Sequence, residues 1–256
     1  MTPNTMARTA ARWTLAGVAL AGASYAAYVT VTWLRYGHVA SPGANERDTL
    51  LDTFMPDYEI RERHDARVAA PAAVTLAVAR ELALLDLPLV RALVKGREFI
   101  LGATADRQAR PRALIAEMQS IGWGVLADVP EHEIVMGAVT RPWDANVVFR
   151  PLSPADFASF HEPGYVKIAW TLRADAVDGD HAMFSTETRA IATDPTARAK
   201  FRTYWSFLSP GIILIRFAAL RGLRTELERQ AYDRGGRPDG RPHRPAATGF
   251  SRLHRG

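Results

Sequence analysis

An uncharged run of 22 residues near the start of the chain limits what this part of the protein can fold into. The run extends from Trp13 to Leu34 and lies between Arg12 and Arg35. As an α-helix that rises about 1.5 Å per residue, it reaches roughly 33 Å, which is enough to cross the hydrocarbon core of a bilayer. A buried soluble helix would need protein on every side, and the sequence predicts no second helix this apolar to pack with it. The run therefore predicts a single membrane span at the N-terminus.

A cleaved signal peptide is the alternative interpretation of the same run. Arg8 and Arg12 resemble the basic region of a signal peptide, and residues 21–23 (Ala-Gly-Ala) resemble a small-residue cleavage site. Apolar residues continue for eleven positions beyond that site, which favours a retained anchor. Basic residues near the two ends of the run are equal in number, so the side of the membrane that holds the rest of the chain stays open.

The composition of the chain is that of a globular protein, with 48% hydrophobic and 23% charged residues. The absence of cysteine excludes disulfides, thiolate zinc sites, iron–sulfur clusters and cysteine nucleophiles. The seven histidines are scattered, and the Gly-x-Ser-x-Gly, Gly-x-Gly-x-x-Gly, Walker A and His-Glu-x-x-His patterns are absent. We therefore expect no metal site and no cofactor.

Hydrophobic periodicity predicts a strand, then helices, then several strands and a final helix. The first strand is predicted from Tyr58 to Val68, where residues alternate between two faces. Pro71 and Pro88 suit the first positions of two helices, and the second of these ends at about Leu101. The later strands, separated by turn residues that favour antiparallel hairpins, are predicted at 123–128, 133–140, 145–150, 165–176 and 183–193.

The final helix is predicted to begin at Pro195, with Asp194 as its cap. Apolar residues recur at three- and four-residue steps from Phe201 to Leu227, so this side of the helix should face the sheet. The pair at 210–211 (Pro-Gly) should either kink this helix or split it in two.

These features divide the chain into five segments. They are an N-terminal tail (1–12), a transmembrane helix (13–36), a linker (37–57), a folded domain (58–232) and an Arg/Gly/Pro-rich tail expected to be disordered (233–256).

Four stretches of the folded domain carry a family resemblance. They are RVAAPAAVTLAVARELALLDLPLVRALV, GWGVLADVPEHEIVMGAVTRPW, EPGYVKIAWTLRAD and STETRAIATDPTARAKFRTYWSFLSPGIILIR. Over about residues 58–231 the chain resembles the START-like superfamily, also called SRPBCC, which includes polyketide cyclase-like and lipid-transfer proteins; the last two stretches look like an uncharacterised bacterial branch. The resemblance implies an α+β helix-grip fold, in which a curved antiparallel sheet wraps around the long C-terminal helix and encloses a cavity.

Aromatic residues lie where the wall of such a cavity needs them. The candidate ligand-binding residues are Trp123, Trp143, Phe149, Trp170, Tyr204 and Trp205, together with Glu187. Core packing alone is the alternative for the aromatic residues. Glu187 shares a strand face with Arg189, and which way this face points stays open; a structural ion pair is the alternative for Glu187.

Glu62 and His64 are the candidate catalytic residues. They lie two residues apart on the first strand and therefore point the same way, onto the face that the resemblance directs into the cavity. A desolvated carboxylate beside an imidazole suits general acid–base catalysis or the binding of a ligand's polar end. A buried hydrogen-bonded pair is the alternative.

Two sets of strand residues are expected to face solvent. The first is the opposite face of the first strand, which includes Arg61 and Arg63, and the second comprises Lys167, Thr171 and Arg173.

The basic tail predicts a second contact with membranes. Residues 233–256 hold six Arg and two Asp, and each juxtamembrane Arg gains about 1 kcal/mol near an anionic surface. Anionic lipid headgroups are therefore the expected partner, and a merely solubilising tail is the alternative. We expect no nucleic-acid binding, because the tail lacks an RNA-binding motif and has only Phe250 as an aromatic residue.

The favoured hypothesis is a membrane-tethered START-like domain that binds a lipid or another hydrophobic small molecule between its sheet and its C-terminal helix. The first alternative is a cyclase- or hydratase-type enzyme that uses Glu62 and His64 as its acid–base pair. The second is a non-binding accessory membrane protein whose cavity is filled by its own side chains.

Overall fold

The computed structural model describes residues 3–43, 46–103 and 110–235. The α-helices in these ranges are α1 (Pro3–Arg35), α2 (Thr49–Phe54), α3 (Ala72–Glu81), α4 (Pro88–Leu101), α5 (Leu114–Ser120), α6 (Pro154–Ser159) and α7 (Pro195–Gly235). The strands are β1 (Ile60–Val68), β2 (Gly124–Val129), β3 (Glu133–Thr140), β4 (Phe149–Arg150), β5 (Val166–Ala176) and β6 (Ala182–Ala192). A short 3-10 helix, Leu84–Asp86, precedes α4.

The strands form one antiparallel sheet in the order β1-β6-β5-β3-β2, and β4 pairs with the end of β3. Three α-helices and the short 3-10 helix separate β1 from β2 in the chain, and these two strands occupy opposite edges of the sheet. The long helix α7 packs against one face, which we call the inner face; the opposite one is the outer face. This arrangement confirms the predicted α+β class with a C-terminal helix held against an antiparallel sheet.

Both faces of the sheet are covered. On the inner face, Met136 and Phe184 pack in one cluster with Leu223 of α7. On the outer face, Leu51 of α2 and Phe157 of α6 pack in a second cluster. Every residue of the central strand β3 is buried as a result.

The second part of the predicted linker 37–57, residues 46–57, differs from the flexible segment that its composition predicts. Its side chains Leu51 and Met55 are 0% and 1% exposed, and they pack against the outer face. Asp48 caps α2 by accepting a hydrogen bond of 2.8 Å from the backbone N–H of Leu51. A few buried residues fold this segment onto the domain, and they are too few to produce a periodic pattern in a sequence rich in Gly, Pro, Ser and Asn.

Much of the two expected solvent-facing sets is also covered, so that prediction is wrong for most of their residues, whereas Asp65 and Arg67 of β1 stay exposed. Lys167 and Thr171 are buried, and the side chains of Arg61 and Arg63 are only 10% and 12% exposed. The alternation placed these residues on the outer face correctly, but α2 and α6 lie over that face. Lys167, for example, donates a hydrogen bond of 3.0 Å to the carbonyl of Ala158 in α6.

Pro210 lies inside α7, and the helix continues past it as one element. Of the two predicted outcomes, splitting is therefore excluded. Proline removes one helix hydrogen bond. The burial of Trp205 before it and of Leu223 after it keeps both parts of α7 against the inner face.

The last turns of α1 pack against α7, whereas the side chains of residues 12–27 are exposed. Tyr36, just after α1, is buried, and its hydroxyl donates a hydrogen bond of 2.6 Å to Glu59. Within the described residues, α1 and α7 are both long and apolar enough to cross a membrane. Most of the predicted tail, residues 236–256, lies outside the described residues.

Candidate ligand-binding cavity

The inner face of the sheet and α7 enclose a cavity of about 870 Å³, which α4 and α5 help to close. Its volume lies within the range of about 300–1,000 Å³ that is usual for small-molecule sites. Most of its lining is aliphatic or aromatic, from residues such as Leu114, Ile168, Leu172 and Leu220. A cavity of this size and character is suited to an apolar small molecule.

Five of the six aromatic candidates line this cavity. They are Trp123, Phe149, Trp170, Tyr204 and Trp205. The ring centroid of Trp123 lies 5.0 Å from that of Phe149 and 6.1 Å from that of Trp170, so the three rings form one continuous part of the wall. On α7, Tyr204 stacks on Phe201 at 6.2 Å.

The other two ligand-binding candidates lie elsewhere. Trp143 does not line the cavity; it packs beside it, with the ammonium group of Lys200 5.7 Å from its ring. Glu187 points to the outer face, because the alternation of β6 directs its neighbours Thr186 and Thr188 into the cavity instead. The expectation that Glu187 binds a ligand in the cavity therefore requires correction.

Glu187 belongs to a network of charged residues on the outer face. It is fully buried and accepts hydrogen bonds of 2.7 Å from Arg189 and 3.0 Å from Arg61. Arg189 donates in turn to Asp52 of α2 at 2.5 Å and to the carbonyl of Met55 at 2.8 Å. The network therefore joins the α2 segment to the sheet, which is the structural role that the sequence left open as the alternative.

Glu62 and His64 lie on the inner face of β1 but outside the lining of the cavity. Burial raises the pKa of Glu62, and the positive charge of Arg216 opposes this effect. Burial lowers the pKa of His64, and Arg216 lowers it further. The His64 ring packs edge-on against Phe217 at 5.1 Å, and its Nε2 atom has no hydrogen-bond partner within the described ranges.

Arg216 is a charged residue of the cavity lining that is not among the residues predicted from sequence. It donates a hydrogen bond to the hydroxyl of Thr188, and both residues line the cavity. The sequence signal was present, since Arg216 is the one charge within residues 203–220 of α7. Only the register of α7 on the sheet shows that this charge is directed inward.

Polar groups also occur at the α4 side of the cavity. Arg97 donates hydrogen bonds to the carbonyl of Pro142 at 3.1 Å and to the hydroxyl of Tyr204 at 3.4 Å. Phe99 and Ile100, near the end of α4, are exposed.

In the part of the chain that the structure describes, no group of three or more His, Cys, Asp or Glu side chains could hold a metal ion.

Comparison with known proteins gives matches only among solved structures. No protein-family profile matches the chain, and no curated protein sequence matches it. An aromatase/cyclase from a Streptomyces species is 16% identical over 69% of this chain and 98% of its own, with a TM-score of 0.28. A hypothetical protein from Helicobacter pylori is 7% identical over 73% and 98%, with a TM-score of 0.35. CalU16 from Micromonospora echinospora is 13% identical over 69% and 83%, with a TM-score of 0.24.

The class of protein follows from the chain's own sheet order, its final helix and the space between them. It is an α+β domain of the helix-grip type that encloses a largely apolar cavity.

Proposed function

We propose that this protein is a membrane-anchored START-like domain that binds a lipid or another hydrophobic small molecule. The observation that carries the proposal is the cavity of about 870 Å³ between the inner face and α7, with its aromatic wall. Burial of an apolar ligand there removes apolar surface from water on both partners, which is the dominant favourable contribution to such binding. The few polar groups of the lining, among them Arg216 and Thr188, would orient the ligand.

A pair of neighbouring alanines provides the test of this cavity. Ala219 lines it, whereas Ala218, at the preceding position of α7, does not. In full-length protein in a mild detergent, Ala219→Phe should fill part of the cavity and weaken the binding of a fluorescent fatty-acid analogue. Ala218→Phe adds the same ring outside the cavity and should leave binding unchanged. Equal binding by both variants and the native chain would place the ligand elsewhere and contradict the proposal.

The anchor in this proposal is α1. Its uncharged run from Trp13 to Leu34 has the length of a span, and the side chains of residues 12–27 are exposed. The full-length protein should stay in membranes through a carbonate wash, and its intact mass should include residues 1–23. A mature N-terminus near Ser24 would instead identify a cleaved signal peptide.

The Arg-rich tail, residues 233–256, is proposed to bind anionic lipid headgroups. Replacing its six Arg residues by Gln should reduce protection of the tail from protease on vesicles that contain phosphatidylglycerol. Vesicles of phosphatidylcholine alone serve as the control. Equal protection on both kinds of vesicle would favour a solubilising tail.

A further inference from the structure

The middle of α7 has an apolar side that the rest of the described chain leaves about half exposed. Over residues 203–220 the helix carries a single charge, Arg216. Phe207, Leu214 and Phe217 are 48%, 44% and 55% exposed. Steps of seven and three residues place these three on one side of the helix, and we call them the α7 strip.

The single charge of this segment is directed away from the α7 strip. Arg216 donates to Thr188 on the inner face, and its Nε and Nη1 atoms are enclosed by protein. The exposed side of the segment is therefore free of charge. Three exposed large apolar residues on one side of a helix form the kind of patch that marks an interaction surface.

The proposed anchor α1 lies beside this segment and runs antiparallel to it. The hydroxyl of Tyr25 donates to the carbonyl of Phe207 at 2.7 Å. Arg202 donates to the carbonyl of Trp33 at 2.8 Å, and its guanidinium lies 4.3 Å from the Trp33 ring. Trp33, later in α1 than Tyr25, thus contacts Arg202, which is earlier in α7 than Phe207. The two helices therefore run in opposite directions.

These contacts set the depth of α7 relative to the bilayer that α1 would cross. Trp33 lies at the end of the uncharged run, which puts Arg202 at the headgroup boundary. Tyr25 lies eight residues further into the run, or about 12 Å along the helix. Phe207 is therefore held about 12 Å from the headgroup boundary, among the lipid chains.

The packing of α7 on the sheet indicates that this segment enters the bilayer without crossing it, although its length alone would allow a span. Residues 203–220 extend about 27 Å as a helix, but one side of this segment lines the cavity and packs on the inner face of the sheet. Lys200 and Arg202 precede the segment, and Arg221 and Arg224 follow it. These basic residues mark the two ends of the apolar segment, and such groups are attracted to anionic headgroups.

We propose that the α7 strip lies in the same bilayer as α1 and docks the cavity on the membrane, so that its ligand is an amphiphile taken from that bilayer. In this position α7 separates lipid from the cavity, because Ile212, Ile215 and Ala219 of the same segment line the cavity. The inference rests on the proposed anchor and on the proposed binding function.

The absence of cysteine makes a direct test possible, since each substitution to Cys gives a single labelling site. Spin labels are placed at Phe207→Cys, Leu214→Cys and Phe217→Cys in the full chain, reconstituted in vesicles of phosphatidylcholine and phosphatidylglycerol. Leu20→Cys reports on the anchor, and Val177→Cys is the matched control, because Val177 is an exposed apolar residue in the turn after β5. The measurement is the accessibility of each label to oxygen and to a water-soluble nickel complex.

The labels of the α7 strip should resemble Leu20→Cys, with high access to oxygen and low access to nickel, and Val177→Cys should show the reverse. If the strip labels resemble Val177→Cys while Leu20→Cys lies in lipid, the docking inference fails and the anchor stands. If Leu20→Cys is itself in water, the anchor fails and the inference with it. Strong coupling between spin labels at the strip would identify a second copy of the chain as its partner and would also overturn the inference.

A functional measurement complements the labels. Phe217→Asp should slow the transfer of a fluorescent fatty acid from vesicles to the protein by at least about tenfold, because an acidic side chain opposes insertion of the strip. Val177→Asp should leave transfer unchanged. Binding of the same fatty acid in detergent should be equal in both variants, and loss of binding there would trace the defect to the cavity rather than to docking. Unchanged transfer by Phe217→Asp would contradict the inference.

Discussion

Replacing Glu133 by glutamine should remove a pH dependence of folding stability that the native chain shows near neutrality. Glu133 lies on the outer face of β3, buried beside Asp48, the residue that caps α2. Burial, and then the hydrogen bond and negative charge of Asp48, raise the pKa of Glu133 to about 9. The substitution therefore tests whether the segment that contains Asp48 is folded onto the sheet.

The magnitude follows from the difference between the folded and unfolded states. An unfolded glutamate ionises near pH 4.5, whereas Glu133 in the folded state keeps its proton to about pH 9. The contribution of Glu133 to the free energy of unfolding is fully present below the pKa of the unfolded state. It is lost as the pH rises toward the pKa of the folded state, by about 1.4 kcal/mol per pH unit. From about pH 6 to about pH 8 the loss amounts to roughly 3 kcal/mol. Glutamine cannot ionise and can still donate a hydrogen bond to Asp48, so this loss should disappear.

The assay is denaturant unfolding of the full-length protein in a mild detergent, followed by tryptophan fluorescence at several pH values. The difference in the free energy of unfolding between the native chain and Glu133→Gln isolates the effect of the ionisation of Glu133. His64 contributes equally to both; its lowered pKa destabilises the folded state at acid pH. Parallel pH profiles from about pH 6 to about pH 8 would refute the reasoning and would indicate that Asp48 does not lie against β3 in solution.

Three further substitutions test other parts of the structure by the same unfolding measurement. Glu187→Gln should cost about 3–5 kcal/mol, because it removes the main partner of the buried Arg189; the exposed Asp65→Asn is the control, and equal small effects would count against the network. Leu51→Ala should cost about 2–5 kcal/mol, whereas no loss of stability is expected if segment 37–57 is a free tether. Phe201→Ala should cost about 3–5 kcal/mol because it removes a buried ring between α7 and the sheet, and a negligible cost would show that α7 does not pack there.

Local sequence patterns determined most of the elements that build this fold. Proline at a first helical position marked the start of α4 and α7, and the bounds Pro88–Leu101 and the start at Pro195 agree with the structure. Two-residue alternation separated the inward residues of β1 and β5 from the outward ones correctly. These signals are local, because backbone geometry alone fixes the direction of successive side chains.

The cavity wall was partly predictable for the same reason. Trp123 and Trp170 lie at inward positions of their region of the sheet, and they meet in the structure at 6.1 Å. Trp143 follows β3 in a loop, where no alternation specifies a direction, and it lies beside the cavity rather than in its lining.

What covers each face was decided only by the tertiary structure. The sequence predicts a solvated outer face because that face carries Arg61 and Lys167, yet α2 and α6 bury much of it. Arg189 and Asp52 pair across 137 positions of chain, and no local period reports such a contact.

The same holds for α7, whose pattern predicts one side against the sheet. The sequence by itself determined that helix, its cap at Asp194 and its apolar character. Only the packed structure turned Arg216 inward to Thr188, set α1 beside Phe207 and left part of the helix uncovered. Periodicity specifies the direction in which a side chain leaves its own backbone, whereas burial depends on which distant segment arrives at that side.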